Sequence, residues 1–430
     1  MSTGLTIFFT IFVVLLILGA PTYLCLLSSS IVYCYFNAFM SPSAMMDKMF
    51  TSLNNFVLLA IPMFMMAGII MNAGGIATRI FNFCRALLGH FRGGLAYVNI
   101  FASFIFAGMS GSALADVGGL GQIEMSEMDK EGYDDDLTLG VTAASATLGP
   151  IVPPSIPMCV YGSVASVSVG AMFVGGVMPG VVMAFVLSAM VYIMAKKRNY
   201  PVHKRATAKE VFVAFQKSFF ALLMPLIILG GIWTGYFTPT EASCVAIVCC
   251  IIIVQFIYKD MSLKELPRIM RETVEGIGPA LTIVSAASLF GWILQFEHFD
   301  TMLLNALLGI SHNPTVIILL IDLILLIFGM FLDSTPIIML MVPVLLPICR
   351  QLGINEIHLG VVVVLNLMIG LMTPPIGQSL FIMTSVVKKP FSYVVHCTWK
   401  WLIPLFICLL VVSLFPEVVL WLPRVTGVIK

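Results

Sequence analysis

The chain has 430 residues, 60% of them hydrophobic and only 10% charged, with a formal net charge of +1. A soluble domain carries about 25% charged residues, so the composition excludes an ordinary soluble enzyme, and the near-neutral charge argues against a nucleic-acid partner. The apolar residues come in long blocks, which predicts an all-α polytopic membrane protein with the lipid bilayer as its solvent.

Residues 5–38 are mostly apolar, with Gly19-Ala20-Pro21 near the middle. They predict two short helices or a tight turn. No Lys or Arg precedes this run, so it lacks the basic start of a signal peptide and is expected to be a retained helix. Residues 41–53 suit an amphipathic connector, and 55–74 a span containing Pro62. Residues 75–93 carry Arg79, Arg85 and Arg92 among apolar residues, the pattern of a helix lying along the membrane surface. Next, an apolar run from 94 ends in Gly-Met-Ser-Gly-Ser-Ala-Leu-Ala-Asp at 108–116, and small residues with a carboxylate at its tip predict a re-entrant hairpin. An acidic loop at 124–136 is expected to follow.

The segment 137–166 is of membrane length but holds Pro150, Pro153, Pro154 and Pro157. Proline removes a backbone donor and clashes with the preceding turn, so the helix must break there. Lipid cannot satisfy the freed carbonyls, so a break at membrane depth implies an enclosed polar cavity. A span at 169–195 and a basic linker at 196–217 close the first half.

The second half repeats the plan. It has spans at 218–237 and 241–258, a basic amphipathic piece at 259–272 and a span at 274–296. A surface piece at 297–312 and a hairpin at 314–351, with Asp333-Ser334-Thr335-Pro336 at its tip, come next. A broken segment at 355–387 containing Pro374-Pro375 and a last span at 396–423 complete it. Gly329 lies 221 positions beyond Gly108, Pro374 lies 221 beyond Pro153, and Pro375 lies 221 beyond Pro154. The distance from hairpin to break is therefore kept in both halves. Five crossings in the first half would invert the second. With the N-terminus outside, 18 of the 22 Lys and Arg residues fall inside, as the positive-inside rule requires. Both termini are then periplasmic. The predicted fold is a pair of inverted repeats, 1–195 and 218–430, with two re-entrant hairpins and two broken transmembrane helices. Such interrupted segments mark the binding site of secondary transporters.

Few polar groups are identified at membrane depth. The first tip offers Ser110, Gly111, Ser112 and Asp116, and the second Asp333, Ser334 and Thr335. The breaks add Thr147, Gly149, Pro150 and Pro153, then Gly370, Thr373, Pro374 and Gly377. Hard oxygen ligands of this kind suit a hard cation such as Na⁺, the one metal the chain is expected to bind; no other cofactor is expected. Half-helix N-termini attract anions, so Ser155, Ser163, Gln378 and Ser379 are the candidate substrate ligands. Structural readings stand beside these. Ser334 or Thr335 before Pro336 could be a helix N-cap, Asp116 could cap the hairpin or pair with Lys130, and Ser163 could be a helix-packing residue. There is no G-x-x-x-x-G-K-[ST] phosphate loop, no H-E-x-x-H and no G-x-S-x-G, which argues against a built-in ATP motor of that type and against an intramembrane enzyme. The ten cysteines show no C-x-x-C spacing, against zinc or disulfides.

The tip G-M-S-G-S-A-L-A-D, the break G-P-I-V-P-P-S, the later D-S-T-P and M-T-P-P-I-G together resemble the large membrane subunit of tripartite ATP-independent periplasmic (TRAP) transporters. The resemblance covers essentially the whole chain. It implies an elevator-type secondary importer of the ion transporter superfamily in the bacterial inner membrane, with Na⁺ held between each tip and its facing break. It implies a small four-helix membrane subunit and a periplasmic substrate-binding protein as partners. It also implies a carboxylate substrate, sialic acid or a C4-dicarboxylate. A self-sufficient Na⁺/dicarboxylate carrier of the same fold is the alternative. On the elevator reading the elements at 94–166 and 314–387 move, while 1–74, 169–195, 218–296 and 396–423 form the scaffold.

Overall fold

A computed structural model describes residues 3–37, 41–198, 200 and 202–429. The extreme termini, Ala38 in the first apolar run, and Asn199 and Pro201 in the basic linker lie outside the described residues. Every regular element among the described residues is helical. Among the described residues, seven helices are long and apolar enough to cross a membrane, and eight shorter apolar helices accompany them. The chain is a multi-pass membrane protein.

Helices Thr3–Ile17 and Thr22–Phe36 flank the Gly19-Ala20-Pro21 turn. The amphipathic connector Pro42–Leu53 starts with Ser41 as N-cap and Pro42 in the first turn, the usual place for each. After the span at 56–73, the surface helix Ile76–Leu88 buries one face through Ile76, Ile80, Phe81 and Cys84. Gly75 and Gly93, at φ +61° and +72°, make the left-handed corners on either side of that helix.

The first hairpin is Gly94–Ser110, a tip at 111–112, then Ala113–Gly118 and Leu120–Lys130. The first broken helix is Asp135–Ala146, a break at 147–155, and Ile156–Ala165. The second hairpin is Pro314–Gly329 and Ser334–Gln351, and the second broken helix is Glu356–Gly370 and Gln378–Val387. The two helices that follow the breaks are ten residues each. The Pro153–Pro154 and Pro374–Pro375 peptide bonds are both cis.

The packing is reciprocal between the halves. Helix Thr22–Phe36 lies on Leu266–Phe296, and Pro239–Ile252 lies on Ala60–Ala73. The post-tip arm of each hairpin packs on the post-break helix of the other half, Ala113–Gly118 on Gln378–Val387 and Ser334–Gln351 on Ile156–Ala165.

Three boundaries and one packing arrangement differ from the sequence expectation. The supposed acidic loop is helical as far as Lys130, and Glu124 in it is buried. The basic piece at 259–272 and the span after it make one helix, Leu266–Phe296, of 31 residues. A helix of that length spans about 46 Å against roughly 30 Å of hydrocarbon, so its basic start projects from the bilayer. There it is supported by the i,i+4 pairs Arg268–Glu272 and Arg271–Glu275. The last span runs from 391 to 414, and an amphipathic helix, Glu417–Val425, is set off from it at Phe415-Pro416. Finally, Val169–Lys197 and the segments at 391–425 pack chiefly on the hairpins and broken helices and not on the other spans. A hydrophobic span does not state in its sequence which neighbour it will meet.

The acidic stretch 127–136 gathers three parts of the chain on one face. Arg85 of the surface helix reaches Glu127 at 2.9 Å and Glu131 at 2.6 Å. From the linker, Arg198 pairs with Asp134 and Asp136, Tyr200 donates to Asp134, and His203 meets Glu131 at 2.7 Å. From the C-terminal segment, Lys400 reaches Asp136 at 3.3 Å and Tyr393 donates to Asp135. The Lys130 ammonium at 2.7 Å holds the Glu127 carboxyl below the usual carboxylate range. Exposed pairs of this kind contribute about 0–1 kcal/mol each, so they direct the chain more than they stabilise it.

Gly140 lets the first broken helix close on the C-terminal segment. A Cβ there would lie 2.0 Å from the Trp401 indole nitrogen, whose ring is fully buried and whose N–H donates to the Asp136 carbonyl at 3.2 Å. Gly140→Val should therefore lower the melting temperature of the purified protein, by the equivalent of about 1–3 kcal/mol. Gly278→Ala, where a Cβ meets nothing within 4 Å, should not lower it, since alanine is the better helix former. Equal melting temperatures for all three proteins would contradict this packing.

Candidate functional site

The first tip and the first break are built against each other. Gly111 sits at φ +61°, and Ser112 caps the next helix by accepting from the Ala115 N–H at 3.4 Å. The Ile156 N–H, the first after the break, donates to the Gly111 carbonyl at 3.3 Å. A Cβ on Gly111 would stand 2.7 Å from the Pro154 oxygen, and one on Gly149 would stand 3.1 Å from the Ser112 carbonyl. Glycine at both positions is what lets the backbones touch.

Within the break, the Ser155 hydroxyl donates to the Pro150 carbonyl and accepts from the Met158 N–H at 3.2 Å. Thr147 donates to the Ala144 carbonyl at 2.6 Å, so its oxygen keeps acceptor capacity. Ser110 Oγ and Asp116 Oδ1 are buried without a hydrogen-bond partner. Buried oxygens without partners are rare. Ser110 stands at the tip and Asp116 in the arm after it, so the first hairpin buries two oxygens without a protein partner, of the hard kind that an alkali or alkaline-earth cation takes.

The second half carries a related arrangement. A Cβ on Gly370 would meet the Gly329 backbone at 2.7 Å, so the hairpin and the broken helix again touch through glycine. Ser379 donates to the Leu371 carbonyl with its N–H at 3.2 Å and its hydroxyl at 2.7 Å, closing the break as Ser155 closes the first. Thr373 donates to the Ile369 carbonyl at 2.7 Å. Gly377, at φ +55°, turns the chain into the helix that starts at Gln378, and Pro374 lies in the break before it. The N-cap of the second tip is Asp333, not Ser334 or Thr335. Its Oδ1 accepts from the Ser334 N–H at 2.6 Å and hydroxyl at 3.2 Å. Ser334 and Thr335 are buried in the first turn.

The candidate substrate ligands make different local contacts. The Ser155 and Ser379 hydroxyls are occupied in closing the breaks. Gln378 is half-buried at a helix start. Ser163 stands two turns beyond the break, where it accepts from Asn55 Nδ2 at 2.6 Å. Asp116 does not pair with Lys130, whose partner is Glu127.

The sequence-derived set lacks two buried carboxylates. Glu124 lies within electrostatic reach of Asp116, and neither of its oxygens has a partner. Asp322 accepts from the Ser413 hydroxyl at 2.7 Å and from Asn366 Nδ2 at 3.1 Å. It ties the second hairpin to the second broken helix and the last span. Asp322 stands alone in the apolar run 316–328, and a count of intramembrane charges finds it. Glu124 opens the acidic stretch 124–136, and no sequence signal sets it apart from the rest of that stretch. In the first half, Asn99 and Ser145 do the corresponding work, with Asn99 donating to Thr142 at 2.8 Å and Ser145 donating to Asn99 at 2.6 Å. Ser145 and Asn366 are again 221 positions apart.

The family description "Tripartite ATP-independent periplasmic transporter, DctM component" matches residues 9–418. The chain belongs to the DctM component family of TRAP transporters. Membership makes it a transport protein and not an enzyme. It is 43% identical over 378 residues to the sialic acid TRAP transporter large permease protein SiaM of Vibrio cholerae, covering 88% of each chain. It is 36% identical over 380 residues to the C4-dicarboxylate TRAP transporter large permease protein DctM of Pseudomonas aeruginosa, covering 88% of this chain and 89% of that one. Among solved structures, the YdaH transporter of Alcanivorax borkumensis aligns at a TM-score of 0.60 with 12% identity, covering 85% of each chain. MtrF of Neisseria gonorrhoeae aligns at 0.60 with 10% identity, covering 96% of this chain and 94% of that one. The fold is thus shared with transporters whose sequences have diverged almost completely.

The contact between the first tip and its break can be tested directly. Gly111→Ala should abolish most uptake while leaving the protein in the membrane, because an alanine at φ +61° must also displace the Pro154 carbonyl. Gly118→Ala, with open space around it, should transport normally. Normal uptake by Gly111→Ala would show that the tip need not close on the break.

Proposed function

We propose that the chain is the transport subunit of a Na⁺-coupled importer of an organic acid, working by an elevator motion with a small membrane subunit and a periplasmic substrate-binding protein. Family membership supports the transporter and its tripartite assembly. What supports the coupling is the contact of the first tip with its break, through Ile156 N–H and the Gly111 carbonyl, and the partnerless buried oxygens of Ser110 and Asp116 in that hairpin. Ser110, Ser112, Asp116, Thr147, Gly149, Pro150 and Pro153 would serve one Na⁺, and Asp333, Ser334, Thr335, Gly370, Thr373, Pro374 and Gly377 a second. Sialic acid is the favoured substrate class, since the SiaM relative is 43% identical and the DctM relative 36%. The inner membrane, with both termini periplasmic, follows from the charge split. An impermeant thiol reagent should then reach a cysteine at Ser288 only from the periplasmic side.

The moving body differs from the sequence-level division. It comprises both hairpins and both broken helices, together with Val169–Lys197 and the segments at 391–425 that pack on them. The scaffold is 3–73 and 208–296. The physical reason for whole-body movement is that freed backbone and bound Na⁺ must remain enclosed by the same protein groups, because lipid cannot satisfy them.

In proteoliposomes holding the full complex, uptake of N-acetylneuraminate should require Na⁺ and rise with an inside-negative potential. Moving one net charge through 100 mV supplies about 2.3 kcal/mol. Uptake unchanged with K⁺ in place of Na⁺ would end the coupling reading.

The motion is tested with cysteine pairs after exposed Cys244 is replaced. Gly291→Cys should cross-link with Met339→Cys, which faces it in this conformation, and also with Leu346→Cys two turns further along. Each locked form should lose uptake. Cross-linking at Met339 alone, in a protein that still transports when locked, would rule out the elevator.

A further inference from the structure

A polar cavity of about 390 Å³ lies between the scaffold and the moving body. Its scaffold wall is the connector helix Pro42–Leu53 and the last turns of Leu266–Phe296; its other wall is Ser163 and Val164 with Met339 and Pro343 of the second hairpin. The volume suits a small organic ligand. Met339 is six residues beyond Asp333, so the inner end of the cavity lies about 9 Å along the helix from the second tip.

The lining has a definite chemistry. Lys48 is its one charged residue, and no acidic residue lines it. Thr51, Asn54, Ser288 and Gln295 add uncharged donors and acceptors, and the Trp292 ring, stacked on Phe296 at 5.9 Å, adds a flat apolar surface. Among the described residues, Lys48 has no carboxylate within ion-pair distance. The hydrogen bond from Asn55 to Ser163 spans the gap beside it.

We propose that this cavity is an anion-binding vestibule in which Lys48 receives the carboxylate of a hydroxyl-rich monocarboxylic acid, a sugar acid, before it reaches the hairpin tips. One cation surrounded by neutral hydrogen-bonding groups matches one carboxylate on a polyol. A C4-dicarboxylate would leave its second charge facing amides and hydroxyls. The ring of Trp292 gives the apolar face of a sugar a surface to lie against. The position on the scaffold side of the gap suits a first contact for a ligand released from outside. This reading rests on the transport function proposed above and adds to it a site and a ligand class.

The test uses the full complex in proteoliposomes, with N-acetylneuraminate as probe and succinate and N-acetylmannosamine as comparators. Lys48→Gln should raise the KM for N-acetylneuraminate about tenfold or more, the scale of a lost charge-assisted hydrogen bond, with a smaller change in kcat. Lys48→Arg should restore much of the affinity, since it keeps the charge. In a background with Cys244 replaced, N-acetylneuraminate should protect Ser288→Cys from an impermeant thiol reagent. Succinate and the neutral N-acetylmannosamine should protect it poorly. Lys48→Gln should abolish the protection even without turnover. An unchanged KM in Lys48→Gln, or equal protection by all three compounds, would overturn the vestibule while leaving Na⁺-driven uptake by the unmodified protein standing. Loss of Na⁺-dependence in the unmodified protein would instead remove the underlying transport reading.

Discussion

A helix that breaks inside a membrane must satisfy its own backbone, and the rest of this molecule is arranged around that constraint. An unsatisfied backbone group in hydrocarbon costs several kcal/mol. The two proline-rich breaks free many such groups at once. The chain answers with short-range closures, Ser155 to the Pro150 carbonyl and Ser379 to the Leu371 carbonyl, and with a hairpin tip brought against each broken helix. The Ile156 N–H reaching the Gly111 carbonyl joins hairpin and break directly. Glycine stands wherever the two backbones meet, at 111, 149, 329 and 370. Oxygens left over in this enclosure are the ones available to a cation.

Because each break needs a hairpin, and each hairpin needs a surface for its second arm, the two halves interlock. The arm after the first tip lies on the helix after the second break, and the arm after the second tip lies on the helix after the first. Neither half can bury its polar interior alone. The repeat spacing of 221 is thus a consequence of geometry as well as of shared plan. Tip, break and the side-chain staple at Ser145 or Asn366 keep the same spacing in both halves.

The parts legible in the sequence are those set by local chemistry. Proline and glycine at the breaks, tips and corners forbid a continuous helix whatever the neighbours are, so the hairpins, breaks and surface helices could be placed from residue order. Tertiary choices were not legible in the same way. Glu124 reads as part of a solvated acidic loop, yet a continuous helix buries it near Asp116. Val169–Lys197 reads as a generic span, and only packing shows that it belongs with the hairpins. Ser163 reads as part of the break because it is near in sequence, but two helical turns carry it away to a cavity that chain elements more than a hundred residues apart build together. Asp333 gave its position but not its geometry, since a tip carboxylate can cap a helix and still present a second oxygen.

The distribution of polar contacts bears on how such a body could move. Inside the body proposed to move there are polar staples, as at Asn99–Ser145 and Asp322–Asn366–Ser413. Inside the scaffold they are present too, as where Thr240 donates to the Phe56 carbonyl at 3.2 Å. The surface helix Ile76–Leu88 is tied to both. Arg79 binds Asp260 at 2.6 Å and lies over the Tyr258 ring, on the scaffold side, while Arg85 holds the acidic end of the first hairpin. The wall between Ser334–Gln351 and Leu266–Phe296, by contrast, is lined on the hairpin side by residues such as Met339 and Pro343, which offer no side-chain donor. A net hydrogen bond contributes about 0.5–1.5 kcal/mol, so a wall laced with them would have to break several at once for each step of sliding. An apolar wall exchanges one set of van der Waals contacts for a similar set. Polar bonds that fix each body internally, an apolar hairpin side facing Leu266–Phe296 with the Asn55–Ser163 bond crossing the gap beside it, and a helix tied at one end to each are what the rigid displacement proposed above would require.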